Sequence, residues 1–139
     1  MNFFKISTLS FLLIAVNFFA SAQTSKIIEE MEAQYKECQR AKPDSTVCSR
    51  IFLNQMDSMQ NVIFEKIRSQ LSADEKTGFM KEQVSWSEKK GKYFKKEDEN
   101  FVYNLKEGNW TKDMIRFTYQ DKAAFLLKRI KELLKQLKE

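Results

Sequence analysis

The amino-acid sequence predicts an all-α protein: a small antiparallel bundle of extended helical hairpins with one disulfide. Three observations predict it. Helix breakers are rare, with three Gly and one Pro in 139 residues. Hydrophobic residues (42%) are mixed with charged ones (31%) along the chain, a composition that favours long helices over a sheet or disorder. Apolar residues also recur at steps of three and four, the period that lines one face of an α-helix.

The chain opens Met1-Asn2-Phe3-Phe4-Lys5, runs through an apolar stretch from Ile6 to Ala20, and reaches Ala20-Ser21-Ala22. A short cationic start, an apolar centre and a small-x-small end are the parts of a secretory signal peptide, with cleavage expected after Ala22. The apolar run is short for a membrane span, which needs about 20 residues. The residue directly after the cleavage point is Gln23, not the Cys of a lipid anchor, and no later segment is apolar enough to cross a membrane. The expected organisation is a signal peptide over 1–22 and a single helical domain over 23–139. The expected location is periplasmic or secreted, with no stable membrane insertion after cleavage.

The first helix is expected from about Ser25 to Ala41, where Ile27, Ile28, Met31, Tyr35 and Cys38 share a face. Pro43-Asp44-Ser45-Thr46 interrupts the pattern and offers N-cap oxygens to the second helix. That helix carries Phe52, Met56, Met59, Ile63 and Ile67 at steps of 4, 3, 4 and 4. Ser72 and Glu75 then form the pattern of a capping box at the start of the third helix. Phe79, Gln83, Trp86, Lys90, Tyr93, Phe94, Phe101, Val102 and Leu105 lie along it. Gly91 sits inside and weakens it by about 1 kcal/mol relative to Ala, with a kink or close packing expected there. Gly108-Asn109 closes the third helix, and Thr111 is placed to cap the fourth, with Trp110 packing on Ile115 as the alternative to an outward-facing ring. The fourth helix shows Tyr119, Ala123, Leu126, Ile130, Leu133 and Leu137 at steps of 4, 3, 4, 3 and 4. Turns this short make sequential helices antiparallel neighbours.

Two cysteines, Cys38 and Cys48, flank the Pro43 turn. An even count in an exported chain favours a disulfide. Their spacing is far wider than a C-x-x-C redox pair, and metal binding lacks partners because the chain has no His and no third Cys.

Chemistry is otherwise sparse. Without His, a Ser-His-Asp triad and a Cys-His pair are impossible. There is no Gly-rich phosphate loop and no diagnostic metal-ligand spacing. Carboxylates are many, but no pair stands in apolar surroundings that would raise one pKa. No catalytic residue, cofactor or metal is therefore expected, and the chain reads as a binding protein, not an enzyme. The net charge of +5 falls to +4 beyond residue 22, with 23 basic against 19 acidic residues. Lys89-Lys90, Lys92 and Lys95-Lys96 are the densest basic group, but Glu97-Asp98-Glu99 follows at once, so they read as a solvated helix face. Nucleic acid is not an expected partner, because that role needs a basic stripe.

Several short motifs carry a family resemblance. Glu37-Cys38, a short loop, Cys48, then Asp57, Asn61 and Phe64 look like the first half of the lysozyme inhibitor LprI-like family. Leu71-Ser72-Ala73-Asp74-Glu75 followed by Gln83-Val84-Ser85-Trp86 resembles its second half, whose hallmark is Gln-x-x-Trp. The resemblance spans Tyr35 to Leu134 and implies one LprI-like helical domain over 23–139. After the Trp the family usually has an Arg-Asp pair and a third Cys, where this chain has Lys90, Gly91 and Phe94. The fourth Cys is also missing, with Tyr119 in that region, so aromatic packing stands where one of two family disulfides would be. The resemblance implies a protein partner, a lysozyme or another wall-active protein, whose cleft this chain would occlude. The turn Gly108-Asn109-Trp110 is the candidate interface, because Trp is enriched among binding hot spots and Lys is depleted. The alternative is a helical envelope adaptor or chaperone-like protein that self-associates through the regular apolar seam of the fourth helix.

Overall fold

The structure, a computed structural model, describes residues 7–43, 45–109 and 111–137, with side chains from residue 22 onward. All elements in it are helices: α1 Ser7–Ala41, α2 Thr46–Gln70, α3 Ala73–Lys106 and α4 Lys112–Leu134.

α2 and α4 form the centre, and their mutual contact exceeds that of any other pair of helices. Phe52, Met56, Ile63 and Ile67 of α2 face Ala123, Leu126, Ile130 and Leu133 of α4, and all are buried. Leu137, just past α4, closes the same cluster. α1 lies on one flank through Ile28, Met31 and Tyr35, and α3 on the other through Phe79, Trp86 and Phe94. The expectation of sequential neighbours holds for α1 with α2 and for α3 with α4, but the dominant pairing joins the alternate helices α2 and α4. The reason lies in the sequence: α4 carries the most regular apolar seam and α2 the next, whereas α3 buries only Phe79 completely.

Tyr35 ties three helices together at one level. Its ring stacks on Phe52 at 4.4 Å. Its hydroxyl lies 3.3 Å from the buried Ser49 hydroxyl and accepts from Gln39 Nε2 at 2.6 Å and Gln120 Nε2 at 2.9 Å.

The helix ends refine the expectations. α1 begins at Ser7, well before Ser25, and continues without a break past Ala22. Neither Gly nor Pro occurs in the segment to stop it. The Ser72–Glu75 capping box is present, with both reciprocal bonds formed. Ser45 and Thr111 occupy N-cap positions, but neither side chain makes a cap bond. α3 runs unbroken through Gly91, where an added Cβ would meet nothing within 4 Å, so close packing does not explain that glycine. At the far end of α3, Gly108 adopts φ +74°. Asn109 N–H donates to the Asn104 carbonyl at 3.0 Å and Gly108 N–H to that of Leu105 at 3.3 Å. These two bonds make a Schellman motif, which requires a left-handed residue that Gly supplies without strain.

Cys38 and Cys48 are bonded, with Cα atoms 5.9 Å apart. The disulfide fixes the α1–α2 corner, and Arg116 of α4 reaches across to donate to the Pro43 carbonyl while pairing with Asp113 at 2.9 Å. Among the described residues no helix is long and apolar enough to cross a membrane.

Candidate functional site

α3 is 34 residues long and α2 is 25, or about 51 Å against 37 Å at 1.5 Å per residue. The two are antiparallel, with Phe64 stacked on Phe79 at 4.9 Å and Asp57 paired with Lys90. In that register the first residue of α2 lies level with about positions 97–101, so roughly the last two turns of α3 extend past α2. The α3–α4 hairpin therefore presents its end beyond the start of α2.

A ladder of aromatic rings and cations holds this hairpin. Phe125 of α4 is at its centre: Tyr93 stacks on it at 4.5 Å, Trp86 lies at 6.3 Å and Phe94 meets it edge-on at 6.3 Å. Three cations sit over these rings, and each reaches a carboxylate. Arg129 lies over Trp86 at 5.4 Å and donates to Glu82 at 2.7 Å and to the Gln83 side-chain oxygen at 3.2 Å. Lys122 lies 5.1 Å from the Phe94 ring centre and donates to Asp98 at 2.6 Å. Lys90 sits between Trp86 at 5.8 Å and Phe94 at 5.3 Å and bonds Asp57 of α2. Lys122 and Arg129 are only 7% and 5% exposed. Their apolar stems complete the packing while the heads find acids at its edge. Burial, reinforced by the nearby carboxylates of Glu97 and Asp121, raises the Tyr93 phenol above its ordinary value of 10.0.

The ladder gathers three of the four residues marked by the family resemblance. Gln83 and Trp86 both contact Arg129, and Asp57 holds Lys90. Asn61 is exposed. Asp57, one turn earlier, bonds to α3. The sequence reading missed Lys122, Phe125 and Arg129. Their spacing of three and four along one stripe beside the leucine seam was the available signal, but charged residues on a helix were read as solvated.

The hairpin end is notably apolar at its surface. Val102, Tyr103 and Leu105 on the last turns of α3 and Phe117 on the second turn of α4 are 44%, 63%, 48% and 50% exposed. Lys95, Asp98, Glu99, Val102, Tyr103 and Lys106 line an open cleft of about 630 Å³ on the flank of α3. Of the candidate turn, Gly108 and Asn109 are exposed between α3 and α4, while Trp110 lies outside the described residues. The leucine seam of α4 is occupied inside the fold: Leu126, Ile130 and Leu133 are fully buried and Leu137 nearly so. Among the described residues no group of Cys, Asp and Glu could hold a metal ion. No family model, curated protein or solved structure matches the chain, and what this site does is read from its geometry.

Proposed function

We propose that the chain is an exported binding protein, akin to the lysozyme inhibitor LprI-like family, which works by setting the end of its α3–α4 hairpin into or over the cleft of a protein target. One observation carries the reading. The hairpin extends past α2 and exposes large apolar side chains at its end, on a support stiffened by the Trp86–Phe125 ladder. A preorganised, partly apolar projection suits occlusion, because little ordering is needed on binding. Mixed signs around it (Lys95, Lys106, Asp98 and Glu99) suit specificity more than affinity. The overall positive charge slows encounter with a strongly basic lysozyme, so an acidic or neutral wall-active target fits better.

The disulfide supports an oxidising compartment, and the segment over 1–22 supports export. N-terminal sequencing of the protein recovered from the cell envelope is expected to begin at Gln23. A retained Met1 would refute cleavage. For the activity, a wall-lysis assay with several lysozyme types is expected to show protection by the protein. Leu105→Ala with Phe117→Ala should lose that protection without a change in melting. Absence of protection at micromolar excess against every lysozyme tried would refute the lysozyme reading. An adaptor that self-associates through the α4 seam would need Leu126, Ile130 and Leu133 at the surface, and they are buried.

A further inference from the structure

We propose that the outward face of α3 docks the protein, peripherally and reversibly, on an anionic lipid surface. The structure divides the basic residues around α3 into two sets. Lys90 turns inward to Asp57, Lys95 pairs with Glu99 at 3.6 Å, and Lys122 and Arg129 reach Asp98 and Glu82. Lys81, Lys89, Lys92 and Lys96 do none of this. All four are exposed, and none has an ion pair among the described residues.

Steps of 8, 3 and 4 between these four place them within about a quarter-turn of one another, at roughly 100° per residue. They form a row along one side of a helix that runs without a break. Three carboxylates lie near the row, Asp74, Glu88 and Glu99, and Glu99 is already held by Lys95. Among the described residues α1, the other flanking helix, makes no substantial contact with α3, and no other element covers this side.

Apolar groups select lipid over other polyanions. Tyr103, 63% exposed, continues the row beyond Lys96, and Val84, 57% exposed, borders it near Lys81. A tyrosine ring with an apolar body and polar tip suits the headgroup level of a membrane. Lysine ammoniums are hydrated point charges that serve diffuse attraction to a charged plane more than bidentate recognition of single phosphates. A basic row along one side of an unbroken helix is complementary to such a plane. This docking surface lies along the side of α3 and meets the hairpin end at Tyr103, but its lysine row does not rest on the occlusion reading.

The test is flotation of the purified full chain with vesicles of phosphatidylcholine alone and of an equal mixture with phosphatidylglycerol. The readout is the gain on anionic over neutral lipid, so any binding by the apolar N-terminus, common to both, cancels. Each lysine near an anionic surface is worth about fivefold in partitioning, so neutralising four costs on the order of several hundredfold. The variant K81Q/K89Q/K92Q/K96Q should lose the gain. The variant K36Q/K42Q/K128Q/K135Q, with the same change of charge at exposed positions elsewhere, should keep it. No gain on anionic vesicles overturns the proposal. So does equal loss in both variants, which would make net charge the cause, or binding to a soluble polyanion such as dextran sulfate without binding to vesicles.

Discussion

Replacing Arg129 tests what the aromatic ladder is made of. Its side chain is 5% exposed, stacked on Trp86 and bonded to a Glu82 that is itself 48% exposed. Arg129→Ala removes two buried methylenes, about 1.6 kcal/mol at 0.8 each. It also removes a partly desolvated cation–π contact worth about 0.5–1 kcal/mol. The ion pair adds less than about 1 kcal/mol, because one partner is half in water. Against this, the change releases a buried guanidinium whose Nε has no acceptor, recovering about 1 kcal/mol. The net loss is about 2 kcal/mol. Arg129→Met keeps the stem and removes the buried charge, so it should lie within about 1 kcal/mol of the parent. Urea unfolding followed by circular dichroism reads both. With a slope of about 2 kcal/mol per molar for a small protein, the alanine variant should unfold about 1 M earlier with the slope unchanged. Equal damage from Met and Ala would refute the packing account and assign the ladder to the ion pair. A loss below about 0.5 kcal/mol for Ala would show that Arg129 is not part of the core.

Three further outcomes are expected. Replacing both cysteines with Ser opens a loop closed over a separation of 10 residues. It should cost about 3 kcal/mol by the loop-entropy relation, seen as a melting temperature lower by roughly 10 °C, and an unchanged melt would refute it. Gly91→Ala and Gly78→Ala place a methyl group in open space inside a helix, so each should stabilise by about 0.5–1 kcal/mol in the same urea titration. Destabilisation by either would show a packing role for that glycine. Because the folded-state pKa of Tyr93 is raised, the protonated phenol is bound more tightly in the folded state, and this contribution is complete below pH 10 and lost as pH rises through the folded value. Tyrosinate absorbance should show a late-ionising component that Tyr93→Phe removes, and its persistence in that variant would refute the assignment.

The parts legible in the sequence are those fixed by local rules. The α4 seam obeys a period, the capping box needs two residues three apart, and a disulfide needs two cysteines in one corner. The α2 stripe was nearly right: Met59 is only half-buried, and the neighbouring Gln60 turns fully inward. That exchange is invisible to a pattern that counts apolar residues. The extent of α1 was missed because a boundary inferred from processing need not coincide with a change in helix propensity. The ladder was missed for a different reason. Lys122 and Arg129 are buried because acids and rings on α3 lie within their reach, and that is a property of two helices together. The same holds for Lys89 and Lys90, adjacent and alike in sequence, of which one faces solvent and the other bonds α2.

The pairing of α2 with α4 sets an order of events during synthesis. The Cys38–Cys48 loop is local and closes as soon as those residues meet an oxidant, and the α1–α2 corner can form with it. Phe52 has an early partner in Tyr35 of α1, but most of the apolar face of α2, Met56 and Ile63 with it, is covered by the last helix made. A nascent chain therefore carries α2 with much of its apolar side uncovered while the whole of α3 is still being added. Stable tertiary structure waits for α4, after which it can arrive in a single cooperative step. A chain cut short before α4 would therefore lack the main cover of that stripe.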